Sequence, residues 1–168
     1  MANHYNESTV EPAVSLTPEL QQLLHAYGAD TDQNGDRFYI YFENGVNNDD
    51  QVLETLREML DDAAYAGGDM SDDIDAEIER QVGEVKESLG THGLAGVFRR
   101  VLLMPKNGNV EGIRLEGCNR CDKMRQGAFG GHALVVTREG YARLSTGAIT
   151  VKNGGITIEM PTIHKFGR

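Results

Sequence analysis

The chain has 168 residues and contains only two cysteines, so it is long enough to bury a core without disulfide bridges. It has no apolar run near the ~20 residues that a membrane helix needs, and its first residues lack the basic start and apolar stretch of a secretory signal. We therefore expect a cytoplasmic protein with reduced thiols rather than a secreted or membrane protein.

The net charge of −10 is divided unevenly along the chain. Residues 1–90 contain 21 acids and four bases, whereas residues 91–168 contain five acids and twelve bases. Such a division says little about the fold, but it is informative about the kind of partner a protein can attract.

The predicted elements begin after residue 14. Residues 1–14 are polar, without a clear period, and we expect a disordered tail. The remainder, 15–168, is predicted to form a single α+β domain. Its acidic helical part is 15–90, with one strand, and it packs on a basic antiparallel β-meander in 91–168.

The first part shows three helical patterns. Thr17 can cap a helix that has Pro18 in its first position, and apolar residues then recur at helical spacing. Apolar residues at the same helical spacing, followed by glycines that end each run, predict two more helices. A run of aromatic and β-branched residues predicts a strand. The expected helices are 17–27, 49–66 and 71–89, and the expected strand is 37–43.

The second part is dominated by strand and turn signals. The apolar run 97–105 fits a strand or a short buried helix, and the turn signal at 106–109 favours a hairpin with the next strand. Four further runs with short turns between them predict an antiparallel meander of at least four strands after residue 97. These runs are HALVVT, YARLS, AITV and ITIEM.

A candidate calcium loop precedes the first predicted strand. Its oxygen donors alternate as in an EF-hand loop, and Gly35 stands where such a loop bends. Tyr41 stands where the bidentate acid belongs, so a plain turn is favoured over an ion site. The candidate ligands are Asp30, Asp32, Asn34 and Asp36.

A candidate zinc site includes the only two cysteines. Cys118 and Cys121 form a CxxC pair, and His132 follows eleven residues later, with His92 and His164 as other donors. The spacing of the second pair is unusual for zinc, and the βαβ pattern of a thioredoxin-type redox site is absent. Two thiols without a chemical role are the third interpretation.

The acidic helices suggest a binding function. Residues 43–87 contain 15 acids, and rows of carboxylates on a helix pair can imitate a phosphate backbone. We expect a non-enzymatic regulatory protein, such as a phage or mobile-element inhibitor, that docks on a basic surface of a nucleic-acid-handling partner. A face that only confers solubility is the alternative. The candidate contact residues are Asp61, Asp62, Asp72, Asp73, Asp75, Glu77, Glu79 and Glu84.

Two other functions stay open. A metal-dependent enzyme would use the two cysteines and a histidine, although no GxSxG, HExxH or phosphate-loop motif is present. Nucleic-acid or phosphate binding by the basic half would need phosphate contacts from its cations, against a net negative charge that makes direct nucleic-acid binding the weaker hypothesis. Those cations are Arg99, Arg100, Lys106, Arg114, Arg120, Lys123 and Arg125.

Overall fold

The computed structural model describes residues 4–66, 72–89, 91–121, 130–145, 149–152 and 155–167. Within these ranges the fold is α+β, with four helices and a seven-stranded antiparallel sheet. The predicted fold class is confirmed. None of the helices in the described ranges is both long enough and apolar enough to span a membrane.

The helices are α1 Pro18–Ala26, α2 Asp49–Ala66, α3 Asp72–Leu89 and α4 Leu94–Leu103. The strands are β1 His4–Val14, β2 Asp30–Asn34, β3 Arg37–Phe42, β4 Gly112–Cys121, β5 Gly130–Thr137, β6 Gly140–Ser145, β7 Ile149–Lys152, β8 Gly155–Ile158 and β9 Ile163–Lys165. The seven-stranded sheet has the strand order β2-β3-β1-β4-β5-β6-β9, and β7 and β8 form a separate two-stranded sheet.

The three predicted helices of the acidic part are confirmed as α1, α2 and α3, and the predicted strand is confirmed as β3. The cap of α1 forms as expected, because the Thr17 hydroxyl accepts a hydrogen bond from the Leu20 backbone N–H at 3.3 Å. On α3, the apolar stripe buries Ile78, Val82 and Leu89. Local spacing was sufficient to define these elements.

The prediction of a disordered tail is wrong for residues 4–14. They form β1, which pairs with β3 on one side and with β4 on the other. Among the side chains of this strand that the structure describes, 6–14, the buried apolar ones are Val10 and Val14, so its sequence carries a weak alternation. Backbone hydrogen bonds to two neighbouring strands order this segment, and none of them can be predicted from its own residues. The described part of the acidic half therefore contains three strands, β1, β2 and β3, rather than one.

The run 97–105 lies mostly in a helix, so the hairpin interpretation is wrong. Val97, Phe98, Val101 and Leu102 are all buried, and this i, i+1, i+4, i+5 spacing forms one face of α4. The meander prediction is accurate for β5 and β6, which pair with each other. The next two strands pair only with each other, as the β7–β8 hairpin.

The core lies between one face of the sheet and helices α1 and α4. This inner face carries Val10, Leu115, Leu134 and Val136, which alternate along their strands with exposed residues of the outer face. The core includes side chains from both charge halves of the chain, from Val10 to Phe166. The acidic and basic parts thus share one hydrophobic core.

Candidate functional site

The acidic hairpin, defined as α2 and α3, carries the charge of the molecule. Helix α2 has six acids and one base, and α3 has seven acids and two bases. Their combined charge of −10 equals the net charge of the whole chain. The hairpin contacts the rest of the fold through α1 and α4, and Val52 and Leu89 reach the core.

The acids of this hairpin whose side chains the structure describes face solvent. Among the candidate contact residues, these exposed acids are Asp61, Asp62, Asp75, Glu77, Glu79 and Glu84. The side chains of Asp72 and Asp73 lie outside the described part. Burial of the apolar stripe against the fold forces the polar stripe outward, which is the usual orientation of a surface helix.

Three of these acids are engaged in ion pairs within the hairpin. Arg57 of α2 contacts Glu79 of α3 at 2.6 Å, and Arg80 contacts Glu77 at 2.5 Å and also Glu84. The hydrogen bond from Arg80, assisted by one from Gln81, lowers the pKa of the Glu77 carboxyl to about 2. Part of the α3 surface is therefore neutralised locally, so it is less negative than the sequence suggested.

A row of carboxylates on α2 has no such partner among the described residues. Its five members stand at positions i, i+4, i+8, i+11 and i+12, which places them along one side of the helix. With a rise of ~1.5 Å per residue, this row extends over roughly 18 Å. We call it the α2 stripe, and it consists of Asp50, Glu54, Glu58, Asp61 and Asp62.

The candidate calcium segment, for which a plain turn was favoured, is a β-hairpin. Asp30, Asp32 and Asn34 lie on β2, and Gly35 and Asp36 form the turn into β3. Side chains two residues apart on a strand are spaced by roughly 6–7 Å, whereas calcium ligands lie within ~2.6 Å of the ion. Asp30 and Asp32 instead lie beside Tyr41, and the charge of Asp32 raises the pKa of its phenol.

The CxxC pair lies on a strand rather than in a loop. Cys118 and Cys121 both belong to β4, and the side chain of Cys121 lies outside the described part. Cys118 is an exposed free thiol on the outer face. His132 lies on the inner face, opposite Gly117 in the β4–β5 register. Cys118 and His132 therefore lie on opposite faces of the sheet, which does not bring them together as ligands of one zinc ion.

His132 has a different partner. Its Nε2 atom lies 3.1 Å from the Ser8 Oγ atom, across the middle strand of β1, β4 and β5. Only glycine fits between them, because a Cβ atom on Gly117 would lie 2.2 Å from the Ser8 hydroxyl and 2.5 Å from the imidazole. This cross-strand hydrogen bond ties β1 to β5.

The basic half does not present its cations on one surface. Arg100 pairs with Glu19 at 2.7 Å on the helical side, and Arg114 pairs with Glu11 at 3.1 Å on the outer face of the sheet. Arg99 donates to the Arg138 carbonyl at 3.2 Å and lies over the Phe166 ring. Lys106 is exposed, whereas the Arg120 side chain, Lys123 and Arg125 lie outside the described part. These pairings weaken the nucleic-acid hypothesis.

A cavity of 890 Å³ opens at one end of the sheet. Its floor is the inner face of β4–β6, and its walls are the β3–α2 connection, residues 45–48, and the turn before α4, residues 91–93. We call it the histidine pocket because His92, His132 and His164 all line it. Sequence reasoning grouped these histidines as metal donors, yet no group of three His, Cys, Asp or Glu in the described part could hold a metal ion.

An aromatic cluster forms one side of the pocket. The Tyr141 ring stacks on His164 with centroids 4.9 Å apart, and it meets His92 edge-on at 5.8 Å. The Arg143 guanidinium lies over the same ring, 5.9 Å from its centroid. At the opposite wall, the Tyr27 hydroxyl donates to Asp49 Oδ1 at 2.8 Å. Burial, reinforced by Asp49, raises the pKa of the Tyr27 phenol.

Sequence reasoning missed this pocket as a site. Tyr27, Asp49, His92, Tyr141 and Arg143 are distant along the chain, and no spacing rule connects them.

Comparison with known proteins provides no further assignment: no family model matches the chain, and neither the curated proteins nor the solved structures contain a match.

Proposed function

We propose that this protein is a non-enzymatic binding protein whose acidic hairpin docks on a basic surface of a partner. The α2 stripe is the observation that supports the proposal. Its five carboxylates are exposed, aligned and without ion pairs among the described residues, in a molecule whose whole net charge resides on the same hairpin.

The mechanism of recognition is electrostatic. A row of like charges attracts a basic partner over distances up to the screening length, which is ~8 Å at physiological salt, and so accelerates the encounter. The apolar stripe of α2 already contacts the fold through Val52, Leu53 and Leu56. The polar side is therefore the surface that α2 offers to a partner.

The class of partner follows from charge alone. A basic surface that normally binds nucleic acid is complementary to aligned carboxylates, so a nucleic-acid-binding protein is the favoured partner. An inhibitor of phage or mobile-element origin is the biological setting in which this charge pattern makes sense by analogy. A cytoplasmic location belongs to the same proposal, and cell fractionation tests it.

The test is affinity capture from a lysate of the source organism, at low and high salt, followed by reconstitution with the purified partner. The key variant reverses four members of the α2 stripe: Glu54→Lys, Glu58→Lys, Asp61→Lys and Asp62→Lys. Glu77 and Glu79 are poorer targets, because their reversal would also remove ion pairs inside the hairpin. We expect the reversed protein to fold normally and to capture the partner more slowly.

A matched control reverses four exposed acids outside the hairpin, Asp32, Glu43, Glu111 and Glu139, and should capture the partner at a rate closer to that of the wild type. Because the control changes the net charge by the same amount, it distinguishes the effect of the α2 stripe on the capture rate from the effect of total charge. If both variants behave alike, or if the stripe variant captures the partner as fast as the wild type, the hairpin serves only solubility and the proposal fails.

A further inference from the structure

The histidine pocket has the size and the chemistry of a small-molecule site. Its volume of 890 Å³ lies within the ~300–1,000 Å³ range of ligand pockets. Polar groups reach it from several separate elements, among them α2, β5 and β6, and Leu115 and Leu134 form an apolar base beneath them. Such convergence of a few polar groups on a mostly apolar floor is typical of binding sites.

Arg143 provides a cation at one end of the pocket. Its side chain is exposed on the inner face, where the β5–β6 register makes it a diagonal neighbour of His132. The other arginines with described side chains all donate a hydrogen bond to a protein acceptor, whereas Arg143 has none among the described residues. A planar guanidinium with free donors is well suited to a phosphate or carboxylate group.

Asp49 provides an acceptor at the other end. Its Oδ1 atom is held by the Tyr27 hydroxyl, and its carboxylate lies against Gly93, where a Cβ atom would be 2.8 Å from Oδ1. Gly93 has a φ of +51° and is the N-cap residue directly before α4, so the carboxylate also lies at a helix N-terminus that favours negative charge. Oδ2 has no hydrogen-bond partner in the described part of the chain, which leaves it able to accept from a hydroxyl group.

His92 lines the same pocket, where its ring meets Tyr141 and Phe166 edge-on. Its Nδ1 atom is buried without a hydrogen-bond partner in the described structure. A nitrogen that is closed to solvent does not face the open pocket, so the polar contacts to a ligand come from Arg143, His132 and Asp49.

From these features we infer that the histidine pocket binds a small hydroxylated organic anion, a sugar phosphate or a nucleotide. Arg143 and His132 hold the anionic group, Asp49 accepts from a hydroxyl group, and the apolar floor contacts the body of the ligand. This inference is independent of the acidic hairpin, which lies outside the pocket except for Asp49 at its start.

Isothermal titration calorimetry with the purified chain tests the inference. The probes are ribose 5-phosphate and adenosine 5′-monophosphate, with ribose and inorganic phosphate as the two halves of the first. We expect one of the two-ended probes to bind at least about tenfold more tightly than either half, since each charged hydrogen bond contributes about that factor. A tighter ribose 5-phosphate identifies a sugar phosphate site, and a tighter adenosine 5′-monophosphate identifies a nucleotide site.

Two variants test the ends of the pocket separately. Arg143→Gln should weaken the tighter phosphorylated probe about tenfold, because the bidentate charged contact is lost. Asp49→Asn keeps an acceptor for Tyr27 and should weaken the same probe without weakening inorganic phosphate. Arg114→Gln, on the outer face, is the matched control and should bind like the wild type.

Three results would overturn the inference. One is the absence of binding of both two-ended probes at millimolar concentration. The second is an Arg143→Gln protein, folded by circular dichroism, that binds as tightly as the wild type. The third is inorganic phosphate binding as tightly as the two-ended probes, which would show that the pocket recognises no ligand body.

Discussion

Helix α4 and the acidic hairpin are both helical, but they serve the molecule in opposite ways. Helix α4 has ten residues, and six of them are buried against the sheet and α1. Helix α3 has eighteen residues, and its buried apolar residues are only Ile78, Val82 and Leu89. One helix belongs to the core, and the other lies on it with a mostly charged surface.

The difference shows how the fold separates stability from surface chemistry. Hydrophobic burial, which is the main stabilising contribution, is concentrated in the sheet, α1 and α4. The acidic hairpin can therefore change its exposed residues with little effect on folding, which is what a recognition surface requires. The histidine pocket lies at the border of these two regions, since residues 45–49 connect β3 to α2.

The largest expected effect compares one buried residue from each region. Phe98 of α4 is fully buried, and Phe98→Ala should destabilise the fold by about 3–5 kcal/mol through lost burial and a cavity. Ile78 of α3 is 6% exposed, and Ile78→Ala should cost about 2 kcal/mol because the hairpin surface can close around it. Chemical denaturation measures both. Equal losses would show that the hairpin is as much a part of the core as α4.

The next largest effect concerns Asn107, a buried polar residue that is hydrogen-bonded to α4. Its Oδ1 atom accepts from the Ser15 N–H at 2.9 Å and from Arg37 at 3.1 Å, and its Nδ2 atom donates to the carbonyls of Ser15 and Val101, both at 2.9 Å. Asn107→Ala leaves these buried groups without their hydrogen-bond partner and should lower the free energy of unfolding by about 3 kcal/mol.

Asn109→Ala is the control for this measurement, because Asn109 is exposed on the same connection and should change stability by less than about 0.5 kcal/mol. A loss for Asn107→Ala no larger than that of the control would mean that its hydrogen bonds do not hold residue 15 to α4.

The smallest effect is a pH dependence in the hairpin. The pKa of the Glu77 carboxyl is lowered from 4.5 to about 2 by Arg80 and Gln81, so the folded state favours its ionised form. The stabilisation from this carboxylate should therefore be present above pH 4.5 and disappear as the pH falls toward 2. Glu77 is exposed, so we expect a small amplitude.

Two measurements check this. An NMR titration of the Glu77 side chain should show it ionised well below pH 4.5, and the stability difference between wild type and Glu77→Gln should shrink over the same range. Glu87→Gln, which removes an exposed acid without an ion pair among the described residues, is the control. An ordinary titration of Glu77 would show that Arg80 does not hold it in solution.

Sequence reasoning predicted the elements whose signals are local. The cap at Thr17, the helical spacing in α2 and α3 and the aromatic alternation in β3 were sufficient. It was wrong for 4–14, because that segment is ordered by pairing with β3 and β4. It was also wrong for the predicted hairpin at 97–105, because an apolar run of that length is compatible with both strand and helix. It also treated the alternating oxygens as a loop or turn, although Asp30, Asp32 and Asn34 lie on a strand, and it assigned no element to the CxxC pair, which lies on β4.

The sequence by itself determined the α+β class, the uneven charge and the exposure of the acids, because these follow from composition and from which side of a helix is apolar. The tertiary structure decided that β1 is a central strand, since its order comes from pairing with β3 and β4. It also decided that Arg143, Asp49 and three histidines line one pocket, because contacts between residues so far apart depend on strand register and helix packing.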